Sequence, residues 1–334
     1  MNDDETDALD AAARWIGEGR KIALGTVVKT WGSAPRRAGS QIAVRQDGAF
    51  AGSVSSGCVE GAVIEQALAA IGDGKVRRLE FGVSDQQAWS VGLACGGRIE
   101  IYVEPIVGPE AEEGLVALND ARHSEQSVVR AVDLATGESR LVDPASDSSP
   151  LGLAAAGAAA ADECIAVEID GRSWFLAVFN PPLELVVVGA VHIAQALVKM
   201  AALVGYRVRV IDPRTSFATA ERFPGTALVH EWPEESLAGR PLGRRSALVA
   251  LSHDPKLDDP ALSAALNSPA FYVGALGSRK SHAARLVRLK DRGFPDDVLA
   301  CIHGPVGLAI GAKTPEEIAV SILAQMTQRL RSRG

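Results

Sequence analysis

The chain has 334 residues, enough for two domains of ordinary size, each with its own core. Hydrophobic residues make up 47% and charged residues 22%, the balance of a soluble globular protein rather than a disordered or fibrous one. A formal net charge of −7 excludes the electrostatic footprint of a general nucleic-acid binder, and no apolar run approaches the ~20 residues of a membrane span.

The opening Met-Asn-Asp-Asp-Glu-Thr-Asp is acidic and polar, unlike a signal or transit peptide, which points to the cytoplasm. A helix is expected over 7–17, with Leu9, Ala12, Ala13 and Ile16 on one face, followed by a strand over 21–30. Residues 41–44 and 49–54 read as a β-hairpin turning at Asp47-Gly48. A helix over 58–71 ends at Gly72 and Gly74; a strand over 76–81, a short helical piece near 86–90 and a strand over 98–103 complete this α/β unit. The pattern from 108 to 182 is softer: a helix near 112–121, strands at 127–133 and 139–142, and a hairpin 165–169/174–179 turning at Asp170-Gly171. Its Ala-rich stretch, 151–161, reads as a surface helix or a pliable connector.

Asn180-Pro181-Pro182 is a stiff boundary, because proline cannot continue a central strand. Beyond it, strands at 183–188, 206–211, 226–229, 246–250 and 270–274 alternate with helices, the pattern of a doubly wound parallel sheet. The last helix opens Thr314-Pro315-Glu316-Glu317, with Thr314 as N-cap, Pro315 at the first position and Glu317 closing a capping box. The fold class is therefore α/β: an N-terminal mixed α/β domain over 1–182 and a dinucleotide-fold parallel-sheet domain over 183–334.

Residues 183–214 spell most of a dinucleotide-binding fingerprint. Gly189 stands at the tight turn, Ala194 at the helix–strand packing position, and Asp212 where an acid takes a ribose hydroxyl. The second glycine position is Val191, a β-branched side chain where phosphates should come closest. His192 and the Ser252-His253-Asp254 stretch face the carboxyl edge of the sheet, where ligands of open α/β sheets bind; Asp254 is either an acid/base group or a helix cap. Gly277-Ser278-Arg279-Lys280 carries a strand into a helix. Ser278 suits an N-cap, and two cations there oppose the helix dipole, which favours a bound phosphate.

In the first domain, Gly52-Ser-Val-Ser-Ser56-Gly57-Cys58-Val-Glu60 takes a strand into a helix beginning at or beside Cys58. Backbone N–H groups and the dipole at a helix start attract anions and stabilise a thiolate; the alternative is a small cysteine packing the junction. Cys95-Gly96-Gly97 sets a second thiol among glycines, and Arg36-Arg37 lies in a turn that offers an arginine fork or simply a solvated surface. None of the four cysteines forms a CxxC pair or a zinc-ribbon spacing.

These residues, taken with Gly32-Ser-Ala-Pro-Arg36, Asp212-Pro-Arg214, Arg222-Phe-Pro224 and Thr314-Pro-Glu-Glu-Ile-Ala319, resemble the xanthine dehydrogenase accessory factor family, XdhC/CoxI, and its Rossmann-type second domain. The family pattern has glycine where this chain has Val191, and a related Ser-Gly-Gly-Cys where it has Ser55-Ser56-Gly57-Cys58. The resemblance implies a maturation chaperone rather than a turnover enzyme. It would bind the molybdenum cofactor (molybdopterin or its cytosine dinucleotide form) as cargo and support its sulfuration with a cysteine desulfurase. It would then deliver the cofactor to an apo-molybdenum hydroxylase such as xanthine dehydrogenase, aldehyde oxidase or carbon monoxide dehydrogenase; a homodimer is compatible with this. On this reading Cys58 contacts the metal centre or transiently carries sulfur, as its softness suits, and Glu60 tunes it or exchanges a proton. Arg36, Ser56, Gly57, Cys95, Gly96, Gly97, Gly189, His192, Asp212, Arg214, Asp254, Gly277, Ser278 and Arg279 are the expected cofactor-binding positions. Two other readings stay open: an NAD(P)-dependent oxidoreductase with His192 or His253 as proton donor, although Val191 speaks against NAD(P), and a scaffold that docks a partner enzyme.

Overall fold

In the computed structural model, which describes residues 7–32, 36–55, 57, 59–82 and 97–332, the first helix starts at its cap. The Asp7 carboxylate accepts from the N–H groups of Leu9 and Asp10 at 2.9 and 3.1 Å, and α1 (Ala8–Gly17) follows. The chain divides into two compact units, Met1–Pro181 and Pro182–Gly334.

The first unit holds two antiparallel sheets. One contains β1 (Ile22–Trp31), β2 (Gln41–Arg45), β3 (Phe50–Gly52), β4 (Arg77–Phe81) and β5 (Arg98–Ile106), in the order β3-β2-β1-β5-β4. Both faces of β1 are covered, so residues 22–28 are all buried rather than alternating. Ile22 and Leu24 pack with α1 and α3 (Pro109–His123). Ala23 and Val27 pack with Val63, Ala67 and Ala70 of α2 (Glu60–Asp73) on the other side. The helix expected from residue 58 starts at Glu60, and the helical piece expected near 86–90 lies outside the described residues.

The softer stretch of sequence builds the second sheet: β6 (Val128–Asp133), β7 (Ser139–Val142), β8 (Ile165–Ile169) and β9 (Arg172–Phe179), ordered β7-β6-β9-β8. The Ala-rich segment is a helix, α4 (Pro150–Ala161), capped by the Ser149 hydroxyl on the Gly152 N–H. Leu151, Ala155 and Ala158 lie against Val129, Ala131 and Leu176; their small side chains let the helix rest close on the sheet. The opposite face joins Val132, Phe175 and Ala177 to Val28 and Tyr102 of the first sheet. Beside it Arg130 of β6 makes a bidentate pair with Glu104 of β5, at 2.6 and 2.9 Å, with both residues under 5% exposed. Burial pulls the guanidinium pKa down, but the Glu104 carboxylate outweighs it and holds the pKa above the usual arginine value.

The second unit is a six-stranded, all-parallel sheet: β10 (Glu184–Val188), β11 (Arg207–Ile211), β12 (Ala227–Val229), β13 (Ser246–Ala250), β14 (Tyr272–Ala275) and β15 (Ile302–His303). The order β12-β11-β10-β13-β14-β15 reverses direction between β10 and β13, the place where such sheets open a crevice at their carboxyl ends. Helices α5 (His192–Leu203) and α10 (Pro315–Arg331) cover one face through Leu197, Val198, Ile322 and Met326. Between them in sequence come α6 (Pro233–Gly239), α7 (Pro255–Leu266), α8 (Arg279–Asp291) and α9 (Asp296–Leu299). Leu257, Leu262 and Leu289 from α7 and α8 pack on the other face. The capping box of Thr314 and Glu317 is formed as expected.

Candidate functional site

The loop from β3 into α2 is organised by one carboxylate. Glu60 Oε1 accepts from the Ser53 hydroxyl at 2.7 Å and from the N–H groups of Val54 and Ser55 at 3.2 and 2.9 Å. Its Oε2 accepts from the Ser55 hydroxyl at 2.5 Å and from the N–H groups of Gly57 and Val59 at 2.9 and 3.2 Å. The Ser55 hydroxyl also receives the Val59 N–H at 2.9 Å. Glu60 is 8% exposed. Burial raises its pKa, yet the Ser55 and Ser53 hydroxyls and the backbone donors outweigh that and bring it down to about 2. Glu60 is therefore an anion at neutral pH, with both oxygens engaged by its own loop. The four backbone N–H groups, which the sequence leaves open to an incoming anion, already point at it.

Cys58 and Ser56 lie outside the described residues, as do Cys95 and Gly96. The neighbours of Cys58, Gly57 and Val59, both donate to Glu60. Gly97 is buried just ahead of β5. Arg36 is exposed and, with Ser53, Gln41 and Phe50, lines an open groove of about 940 Å³ in the first unit. The groove's other ionisable side chains are mutually paired: Arg122 with Asp7 at 2.8 Å and His123 with Asp10 at 2.9 Å.

In the second unit Gly189, with φ +103°, ends β10 against the backbone of residue 252. A Cβ there would stand 2.8 Å from the Ser252 nitrogen, so the turn admits only glycine. Asp212 is fully buried, and its partners are internal. Oδ2 accepts from the Ala190 N–H at 2.8 Å and Arg214 Nη2 at 2.7 Å; Oδ1 accepts from the Arg214 N–H and Nε at 3.0 and 2.8 Å. Burial raises its pKa, but Arg214 and the Ala190 N–H outweigh this and hold it below the usual carboxylate value. The Arg214 guanidinium lies 4.2 Å from the centre of the Phe217 ring and also feels Asp254. The acid expected to take a ribose hydroxyl thus grips Arg214, itself an expected cofactor-binding position.

Val191 is the N-cap of α5 with no side-chain bond, and His192 is its exposed first residue. Asp254 caps α7 through the Lys256 N–H at 2.9 Å, and His253 is exposed with φ +61°. Ser278 caps α8 through the Ser281 N–H at 3.1 Å, as its position predicts; Arg279 is exposed beside it. Gly189, Asp212, Arg214 and Asp254 therefore gather around the switch point, with His192 on the same edge. Gly277, Ser278 and Arg279 stand at the end of the next strand outward, β14. Sequence reasoning missed Arg285 on α8, 3% exposed beneath that turn, because Arg-Lys-Ser-His-Ala-Ala-Arg-Leu reads as a solvated basic face. Its spacing from buried Leu289 was the available signal.

Among the described residues no group of three or more His, Cys, Asp or Glu side chains could hold a metal ion, and no helix is long and apolar enough to cross a membrane.

Comparison with known proteins agrees with this architecture. Residues 15–82 match the model of the XdhC and CoxI family, and residues 185–326 match that of the XdhC Rossmann domain. The molybdenum cofactor insertion chaperone PaoD of Escherichia coli (strain K12) is 28% identical over 331 residues, covering 98% of this chain and 89% of that protein. A probable xanthine dehydrogenase subunit from Bacillus subtilis (strain 168) is 28% identical over 325 residues, covering 91% and 92% respectively. A crystal structure described as a xanthine dehydrogenase from Bacillus halodurans shares the fold, with a TM-score of 0.73 at 24% identity over 98% of this chain and 97% of that one. With the family's two domain models falling one on each unit, the chain belongs to the XdhC and CoxI family.

Proposed function

We propose that this protein is a maturation chaperone for a molybdenum hydroxylase. It binds the molybdenum cofactor as cargo, supports its sulfuration by a cysteine desulfurase and delivers it to an apo-enzyme of the xanthine dehydrogenase, aldehyde oxidase or carbon monoxide dehydrogenase type. The observation that carries this reading is the Glu60-organised loop. A buried anion accepting six hydrogen bonds fixes the two residues flanking Cys58, an arrangement suited to presenting one soft sulfur ligand rather than to gripping a phosphate. Glu60 serves here as the residue that holds the loop, not as a proton donor: a carboxyl titrating at about 2 carries no proton near neutrality. Similarity along nearly the whole chain to an insertion chaperone supports the same reading.

The second unit, taken by itself, offers groups for a phosphate. Ser278 and Arg279 at the start of α8 offer N–H groups and charge, and Gly189, His192, Arg214 and Asp254 border the switch-point crevice. A cytosine dinucleotide form of the cargo would lie across that crevice. Its ribose meets an Asp212 whose acceptors are already held by Arg214 and Ala190, which also weighs against a standard NAD(P) site.

The test is to purify the protein from a host replete in cofactor and measure bound molybdenum and pterin, with Cys58→Ala as control. Wild type should carry both and restore activity to an apo-hydroxylase. A Cys58→Ala protein that loads and delivers as well as wild type would refute the role given to that sulfur.

A further inference from the structure

A buried cluster under the turn between β14 and α8 has more hydrogen-bond donors than partners. Arg285 is 3% exposed; its Nη2 donates to the Leu276 carbonyl at 2.8 Å and lies 3.5 Å from Asp258 Oδ2. Its Nε and Nη1 are buried without a partner, and so is Nδ1 of His282, one turn earlier on the same helix. Asp258 is 1% exposed, and its other oxygen accepts from the Ser252 hydroxyl at 2.6 Å. Asp259, the remaining acid near Arg285, is taken by a bidentate bond from Arg288 at 2.6 and 2.9 Å. Two buried acids thus meet two arginines, while Arg279 and Lys280 add exposed positive charge at the start of α8. The Asp258 contact is long for an ion pair, and burial pulls the Arg285 pKa down in spite of both carboxylates. A buried guanidinium with two orphaned donors is costly unless something else supplies the missing acceptors.

The turn above it is shaped for that. Gly277 has φ +142°, and a Cβ there would stand 3.2 Å from Ser281 Cβ and 3.8 Å from Arg285 Nη2, so the guanidinium lies close beneath the glycine, beside the Ser281 side chain. The first N–H groups of α8 have no intrahelical acceptors, and only that of Ser281 is met by the Ser278 cap.

We propose that Arg285 is the buried cation of an oxyanion site at the β14–α8 turn, and that the site takes a phosphate group. This deepens the cargo reading above and rests on it for the source of the phosphate, but not for the site itself. The N–H groups of the first turn and the Ser278 hydroxyl make the contacts; Arg285, fixed by Asp258 and the Leu276 carbonyl, supplies a charge that does not move when the ligand arrives. Arg279 and Lys280 draw the anion in from solvent.

Inorganic phosphate is the probe, followed by calorimetry on the full chain and by the Arg285 Nε–H resonance of the wild-type protein. Saturable binding with a shift of that resonance is expected. Arg285→Met leaves Asp258 buried without its cation and threatens folding, so the decisive variant is Arg285→Met with Asp258→Asn, which removes both charges together. It should weaken phosphate binding at least about tenfold while Arg285→Lys retains part of it. Wild type with no saturable phosphate binding, or a folded double variant that binds as well as wild type, would overturn the proposal. Phosphate binding that depends on Arg285, in a protein carrying neither molybdenum nor pterin, would uphold this site and sink the cargo reading instead.

Discussion

Replacing Glu60 by glutamine keeps the side chain's size but removes its charge and turns an NH2 toward donors that now face an acceptor. A carboxyl that titrates at about 2 instead of 4.5 contributes up to ~3 kcal/mol of stability at neutral pH. Water around the exposed Gly57 screens part of this, leaving about 2 kcal/mol. Loss of acceptors for several buried N–H and hydroxyl groups adds to it, since each unmet buried donor costs ~1–3 kcal/mol before the loop relaxes. Glu60→Gln should therefore destabilise the first unit by roughly 2–4 kcal/mol at pH 7. The pH dependence has a definite sign. The folded pKa is the lower one, so the wild-type contribution is fully present above about pH 4.5 and is lost as pH falls from 4.5 toward 2; the variant lacks that part of the acid slope. Urea denaturation followed by tryptophan fluorescence suits the question, because four of the five tryptophans precede Pro182. Equal midpoints at pH 7, or the same loss of stability between pH 5 and pH 3 in both proteins, would refute the argument.

Gly189→Ala should lower the stability of the second unit by ~2–4 kcal/mol, since a methyl group would stand 2.8 Å from the Ser252 backbone at a φ of +103°; a melt read by circular dichroism checks it. Arg130→Met alone should cost ~3–5 kcal/mol by stranding Glu104, and adding Glu104→Leu should recover most of that. Chemical denaturation of the single and double variants gives the coupling, and a double variant worse than the single would contradict it. Thr314→Ala should destabilise α10 by about 1 kcal/mol through loss of its cap, seen as faster amide exchange in its first turn.

Much of this fold is legible because several segments obey one local rule each. The strand runs at 185–188 and 247–250 are apolar throughout because both faces of the parallel sheet are covered. The Thr314–Glu317 capping box and the Ser278 cap depend only on residues three apart. The Ala-rich stretch stayed ambiguous because alanine shows no periodicity; Val129, Ala131 and Leu176 of the second sheet decide that it is a helix face. The candidate site was visible as residue types but not as bonds. Sequence shows that Glu60 follows the Ser-Gly loop, but not that the loop folds back to give it six donors. It shows Asp212 about 20 residues beyond Gly189, but not that Arg214 occupies it first. Arg285 sits in a strongly basic helix, and only the packing of α8 beneath its own first turn reveals a buried cation.

The bolt between Glu104 and Arg130, with the shared layer of Val28, Tyr102, Val132 and Phe175, has a mechanical consequence. Neither sheet of the first unit can peel away without exposing a naked guanidinium and the greasy seam beside it. Residues 128–179 are therefore no detachable appendage. Hydrogen-exchange protection should fail in β5 and β6 together, and a protease nick in the segment joining β7 to α4 should leave both fragments clasped.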